Sequence, residues 1–160
     1  MEKKRFRDLY NQYAKRLYNY ALWLTRNTEA SEDIIQCAFV KVWQHSSAPR
    51  SENEIEPWLY AVVRNKCLDF FRKCSRFSRF RLRFARETAT VSADSPEKKF
   101  VWEMMSSLGE EERSILYLHF RAGYAYKEIA SLMESNENAV RVRAFRALSK
   151  LRKKFVKENL

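Results

Sequence analysis

The chain has 160 residues, which suits one domain or two small ones, and 46% of them are hydrophobic, so it can bury a core. It contains only 2 glycines and 3 prolines, which argues against hairpin-rich β folds and excludes the glycine-rich phosphate loops of nucleotide-binding proteins. With 31 basic and 20 acidic residues the net charge is +11, which indicates a polyanionic partner, either nucleic acid or an acidic membrane surface.

The cysteines and histidines predict neither a metal site nor a cofactor. The three cysteines, Cys37, Cys67 and Cys74, form no CxxC pair and are odd in number, so we expect a reducing cytoplasm rather than a disulfide framework. His45 and His119 lie at no spacing that would complete a ligand set. No segment has the pattern of a signal peptide or a membrane span, so we expect a cytoplasmic protein without membrane insertion.

Helical periodicity dominates the N-terminal part of the chain. One amphipathic helix is predicted over residues 6–24, and a second follows the break at 27–28 and ends near 43. The polar stretch 45–56 predicts a loop, and Pro57 suits the first turn of a third helix.

Residues 75–95 differ in composition and periodicity from the segments before and after them. The first part, 75–86, interleaves Arg with Phe and Leu, and its role stays open; the remainder is small, polar and without periodicity. Helical spacing then returns, with a start at Ser95-Pro96 and a left-handed stop at Gly123. The predicted fold is all-α, with two small helical domains, 1–74 and 96–160, joined by a flexible linker over 75–95.

The last two predicted helices have the layout of a helix-turn-helix: a short helix over 126–133, a three-residue break, and a longer basic helix from 137. A helical wheel turns one arc of the longer helix to the core: Val140, Ala144, Leu148, Leu151 and Phe155. The residues predicted to contact DNA lie on the other arc and its flanks: Asn138, Arg141, Val142, Arg143, Phe145 and Arg146.

Each residue type on that outer arc suits DNA. Val142 and Phe145 can touch thymine methyl groups, Arg146 can read guanine and Asn138 can read adenine. The flanking arginines can hold phosphates. A solvated helix with an ordinary basic face is the alternative, but it would not usually expose a phenylalanine beside these residues.

The third helix of the N-terminal domain combines aromatic and basic side chains: Trp58, Tyr60, Arg64, Asn65 and Lys66. Such a mixture can stack on unpaired bases and hold their phosphates. It is equally consistent with a core helix that has a basic rim, and composition does not separate the two interpretations.

Taken together, the segments resemble those of a bacterial RNA polymerase sigma factor of the extracytoplasmic-function (ECF) type. The matching segments occur in the family's order: FRDLYNQYAKRLYNYAL, SEDIIQCAFVKVWQ, EPWLYAVVRNKCLDFFRK, LGEEERSILYLHFRAGYAYKEIASLM and ENAVRVRAFRALSKLRKKF. The resemblance implies that residues 1–74 form sigma region 2 and residues 96–160 form sigma region 4.

The resemblance also assigns roles to residues. It implies that the second helix binds the β′ clamp helices of core RNA polymerase, through Asp33, Ile34, Ile35, Gln36, Phe39 and Trp43. Cys37 stands where the family often has Glu. The loop 46–57 would capture a flipped base of the minus-ten element, and Trp58, Tyr60, Arg64, Asn65 and Lys66 would open and hold that element.

For region 4, the resemblance implies that the last helix reads the minus-thirty-five element and that the helix before Gly123 contacts the β flap. Promoter DNA and an anti-sigma factor are further implied partners. We expect no catalytic residues and no enzymatic activity. The alternative is a helix-turn-helix transcriptional regulator that acts without being a polymerase subunit; a helical module for RNA or acidic lipid is more distant.

Overall fold

The computed structural model describes residues 1–45, 48–76 and 95–159. The regular elements in these ranges are all helices, which confirms the predicted all-α class. They are α1 (Lys3–Thr25), α2 (Thr28–Gln44), α3 (Glu52–Arg76), α4 (Pro96–Met105), α5 (Glu110–Leu116), a π-helical turn (Tyr117–Arg121), α6 (Tyr126–Leu132) and α7 (Glu137–Glu158).

The chain divides into two compact units, Met1–Val91 and Ser92–Leu160. The predicted linker falls mostly outside the described residues, as does most of the basic aromatic segment 75–86. Helix α3 continues to Arg76, two residues beyond the predicted end of the first domain. The exact domain boundaries stay a prediction.

The first unit is a bundle in which α1, α2 and α3 each pack against the other two. Its core is built from residues of all three helices: Leu17, Tyr20, Ala21, Leu24, Ala38, Phe39, Val42, Leu59, Val63 and Cys67. The predicted break between α1 and α2 is present. The Asn27 side chain caps α2 by accepting a hydrogen bond from the Ala30 backbone N–H at 2.9 Å, so the second helix has a defined start.

Helix α3 begins five residues earlier than predicted, and Pro57 lies inside it. The Ile55 N–H donates to the Ser51 carbonyl at 3.0 Å, so the helix is already formed two residues before the proline. Pro57 removes one intrahelical donor. The burial of Ile55 and Leu59 against the bundle stabilises the first turns in spite of that loss, which the sequence pattern did not reveal.

The second unit packs α4, α5 and α6 against α7. The helix predicted before Gly123 changes at Tyr117 into a π-helical turn, where the Ala122 N–H donates to the Tyr117 carbonyl at 3.0 Å. Gly123 then ends the segment at φ 83°, as predicted, because only glycine adopts this region without strain. The turn before α7 places Glu134 at φ 53°.

Helix α7 packs through a narrower strip than the helical wheel predicted. Val140, Ala144 and Ala147 are buried, whereas Leu148 and Phe155 are exposed; those two positions were predicted to face the core, and that prediction is wrong. Helix α4 packs against α7, and the rings of Phe100 and Phe155 meet edge-on with centroids 6.3 Å apart. Among the described residues, no helix is both long and apolar enough to cross a membrane.

Candidate DNA and polymerase interfaces

The start of α7 is fixed by its own sequence. The Asn136 side chain accepts a hydrogen bond from the Ala139 N–H at 2.8 Å. This satisfies one of the N–H groups in the first turn that have no acceptor within the helix. Helix α6 lies just before this turn, and its first-turn Glu128 accepts from the Ala125 N–H at 2.8 Å. Two capped helices separated by a short turn give the helix-turn-helix arrangement.

The four residues predicted to read bases form one exposed face of α7, which we call the reading face. Phe145 is 73% exposed and Val142 is 46% exposed, and Asn138 and Arg146 are also exposed. Positions 138, 142 and 145 are four and three residues apart, so their side chains share one side of the helix. Because the burial of Val140 holds the opposite side, this face points away from the rest of the unit.

The two flanking arginines have different surroundings. Arg143 is half-buried and its Nε lies 3.4 Å from a carboxylate oxygen of Glu111 on α5. It therefore lies on the side of α7 that adjoins α5, three positions from Arg146 and at the border of the reading face. Arg141 is exposed and donates from Nε and Nη2 to Glu137 Oε1, at 3.1 and 2.6 Å.

Two further basic residues of α7 hold the unit together. Lys150 Nζ donates to Glu112 of α5 at 2.8 Å, and Glu112 also accepts from the Gly109 N–H at 3.2 Å. Lys154 Nζ donates to the Glu103 carbonyl and to Ser106 Oγ, both in the α4 segment. Some of the basic residues of α7 therefore make contacts within the unit. Counting charges along the sequence cannot distinguish these residues from those that would contact DNA.

The predicted polymerase-binding residues of α2 fall into two groups. Asp33, Gln36 and Trp43 are exposed. Ile34, Ile35 and Phe39 are buried in the bundle. These three apolar residues therefore fix the orientation of α2, and any direct contact with a partner has to come from the exposed group.

The exposed face of α2 contains two residues that the predicted set leaves out. Cys37 and Val40 are exposed and lie three or four positions from Asp33, Gln36 and Trp43, which places them on the same side of the helix. The face is acidic and polar at its N-terminal end and apolar at its C-terminal end.

An aromatic cluster extends this face onto α1. The Phe6 ring meets the Trp43 and Phe39 rings edge-on, with centroids 5.1 and 6.0 Å apart, and Tyr10 contacts Phe39 at 4.9 Å. Sequence reasoning missed Tyr10, which is exposed.

The predicted minus-ten residues of α3 are spread around the helix. Asn65 is exposed and Trp58 is half-buried, and the two are seven positions apart, so they share a face. Tyr60 is buried and packs edge-on against Tyr20 with centroids 5.2 Å apart, so it serves the core of the bundle. Arg64 and Lys66 are half-buried on other sides of α3.

The segment before α3 is tied to the start of α1. The Arg5 guanidinium donates to the Pro49 carbonyl at 2.5 Å, and Arg5, His45 and Arg50 contribute to an open cleft of about 590 Å³. Glu2 also lines the cleft, but its two arginines suit an anionic ligand such as a phosphodiester. Residues 46 and 47, part of the loop predicted to capture a base, lie outside the described residues.

Two groups buried in the first unit have raised pKa values. Burial raises the pKa of the Cys67 thiol to about 12, with nearby Arg64 acting in the opposite direction. Burial also raises the pKa of the Tyr13 hydroxyl, assisted by Glu56. Within the described ranges no group of His, Cys, Asp and Glu side chains could hold a metal ion.

Two family models match the chain, one on each unit. Sigma-70 region 2 matches residues 9–77, and sigma-70 region 4 matches residues 101–151. The first covers α1 to α3, including the exposed face of α2. The second covers α5, α6 and most of α7, including the reading face.

Several curated proteins resemble the chain over most of its length. A probable RNA polymerase sigma factor, RfaY, of Xanthomonas campestris pv. campestris is 33% identical over 82% of this chain, which spans only 36% of that protein. The ECF sigma factor SigM of Bacillus subtilis is 25% identical, over 91% of both chains. The ECF sigma factor SigL of Mycobacterium tuberculosis is 26% identical, over 91% of this chain and 86% of that protein.

Solved structures share the fold. The sigma factor RpoE of Bartonella quintana, in complex with the anti-sigma factor NepR, gives a TM-score of 0.74 at 19% identity and covers 94% of this chain and 96% of that one. CnrH, in complex with the cytosolic domain of CnrY, gives 0.69 at 20% identity, over 98% and 90%.

Proposed function

Since the chain belongs to the sigma-70 family of RNA polymerase sigma factors, and within it to the ECF group, we propose that it binds core RNA polymerase and directs promoter-specific initiation of transcription. The observation that carries this proposal is the pair of family matches, region 2 on α1–α3 and region 4 on the second unit. A regulator that acts without polymerase needs only the helix-turn-helix.

In this proposal α7 reads the upstream promoter element as duplex DNA. Asn138, Val142, Phe145 and Arg146 form one exposed face whose chemistry suits base edges in the major groove. Arg141 supplies a backbone contact at the flank. Arg143, which pairs with Glu111 of α5, is not assigned a DNA contact.

Region 2 supplies two surfaces. The exposed side of α2, with Asp33, Gln36 and Trp43, binds the β′ clamp helices. The buried residues Ile34, Ile35 and Phe39 keep that side facing outward.

In region 4, the helix before Gly123 contacts the flap of the β subunit.

For the minus-ten element, Trp58 and Asn65 on α3 form the contact face, with the basic cleft at Arg5 and Arg50 beside the start of that helix. Arg64 and Lys66 act as half-buried basic groups at its sides, and Tyr60 supports the helix from within.

Strand opening then needs no enzymatic activity. Extruding a base costs a few kcal/mol of unstacking, and stacking each base on an aromatic side chain returns about 1–3 kcal/mol, so preferential binding of the open strand can drive the change. Contact at both promoter elements raises the effective concentration of the second contact once polymerase sets the spacing. The free chain should therefore bind promoters weakly. We further propose that an anti-sigma factor covers these surfaces and that the protein acts in the cytoplasm.

The alternative, a helix-turn-helix regulator without polymerase, predicts the opposite behaviour of the free chain. Such regulators usually bind palindromic duplexes tightly as dimers. A gel-shift with free protein against a library of duplexes separates the two: selective binding by the free chain would favour the regulator.

The polymerase contact can be tested with the natural cysteines as probes. In the free chain a maleimide should modify exposed Cys37 and leave Cys67 intact, since Cys67 is buried and its raised pKa of about 12 keeps it protonated. Core polymerase should co-elute with the chain and protect Cys37, while Cys74 near the end of α3 serves as the internal reference. Failure to co-elute would refute the proposed function. Co-elution without protection of Cys37 would show that core polymerase binds a surface other than the exposed side of α2.

A further inference from the structure

At the first turn of α7, Glu137 holds the Arg141 side chain. Both Nε and Nη2 of Arg141 donate to the same oxygen of Glu137, at 3.1 and 2.6 Å. The two side chains are 59% and 40% exposed, so the pair lies at the surface. It occupies two of the five N–H donors of the guanidinium, on the edge formed by Nε and Nη2.

The same guanidinium is also held from α6. Its central carbon lies 5.7 Å from the centroid of the Tyr126 ring. Tyr126 stacks on the His119 ring with centroids 4.2 Å apart and planes inclined by 14°. His119 is fixed in turn, because its Nδ1 lies 2.8 Å from the Tyr124 carbonyl oxygen.

These contacts form a column of three side chains, His119, Tyr126 and Arg141. It runs from the π-helical turn, through the first helix of the helix-turn-helix, to the recognition helix α7. A cation above an aromatic face is attracted to it, so the column fixes the position of the guanidinium independently of Glu137.

We propose that Glu137 is an internal competitor for Arg141, displaced by a DNA phosphate when α7 docks, and that Tyr126, backed by His119, is the positioning residue that keeps the guanidinium in place during the exchange. This inference rests on the proposed function and concerns the same site. Because Glu137 must be displaced first, it lowers the affinity of α7 for any DNA backbone. Contacts between the reading face and the correct bases then have to supply the binding free energy that this displacement costs.

The competition has measurable consequences. An exposed ion pair is worth little, so Glu137→Gln should strengthen DNA binding by roughly twofold to fivefold. Arg141→Ala should weaken binding and reduce the salt slope by about 0.9, the loss of one phosphate contact. Tyr126→Leu should weaken binding by roughly twofold to fivefold, whereas Tyr126→Phe keeps the ring and should behave as wild type.

The experiment uses the full chain assembled with core polymerase and a duplex that the wild-type holoenzyme selects from a random library. Binding constants are measured over a series of KCl concentrations for the single variants and for Glu137→Gln combined with Arg141→Ala. The matched control is Glu111→Gln, which removes the same charge from the partner of Arg143 on the α5 side. Circular dichroism verifies that each variant retains its helices.

A gain from Glu137→Gln that disappears when Arg141 is Ala, with Glu111→Gln close to wild type, supports the inference. An equal gain in the Arg141→Ala background would overturn it, because Glu137 would then act by general repulsion of DNA. Equal binding by Tyr126→Leu and Tyr126→Phe would overturn the role of the ring. If the wild-type holoenzyme selects no duplex, the proposed function fails and this inference fails with it.

Discussion

Helices α3 and α7 are both long, and both are predicted to touch DNA, yet they present their residues in different ways. Helix α7 buries a strip of small residues, Val140, Ala144 and Ala147, and its other residues are exposed or half-buried. Helix α3 packs on α1 and α2 together and buries large side chains, Tyr60 among them. A helix packed along one strip leaves its functional face exposed, whereas a helix packed against two others buries some of the residues predicted to contact DNA.

The strongest test of this contrast compares two valines of α7. Val140 is 0% exposed and Val142 is 46% exposed. Val140→Asp buries an unpaired charge and should cost more than about 4 kcal/mol of stability, seen as loss of the second unit in thermal denaturation followed by circular dichroism. Val142→Asp should change stability by less than about 0.5 kcal/mol and abolish promoter binding. Equal destabilisation by both would contradict the packing described for α7.

A similar pair divides α3. Tyr60→Ala removes a buried ring that packs on Tyr20 and should lower the free energy of unfolding by about 3 kcal/mol. Asn65→Ala, at an exposed position, should leave stability within about 0.5 kcal/mol and reduce the formation of open promoter complexes, which permanganate footprinting detects. If Asn65→Ala left open complexes unchanged, this face of α3 would not contact the minus-ten element.

A smaller effect is expected for two arginines of α7. Arg146→Ala should relax the preference at one base of the upstream element by about 1–3 kcal/mol, measured by binding to a set of single-base variants. Arg143→Ala breaks an exposed pair with Glu111 and should lower stability by up to about 1 kcal/mol without changing base preference. A uniform loss across sequences for Arg143→Ala would instead make it a phosphate contact.

Sequence reasoning succeeded where local rules decide the structure. The break between α1 and α2, the left-handed Gly123 and the exposure of Val142 and Phe145 on α7 follow from residue type and helical period, and the structure confirms them. The family resemblance supplied the functional meaning, which the composition alone left between nucleic acid and membrane.

It failed where tertiary packing decides. Burial of Ile55 starts α3 before Pro57. Phe155 is exposed because little of the second unit reaches the C-terminal end of α7. The aromatic residues of α3 were ambiguous in the sequence because a ring that stacks on a base and a ring that fills a core have the same residue type.

The central claim, that this chain directs core polymerase to specific promoters, is tested most directly by run-off transcription on bacterial genomic DNA with mapped start sites. The account predicts transcripts that require the chain, start at a limited set of positions and share two upstream elements at fixed spacing. Core polymerase that gives the same transcripts with and without the chain would contradict it.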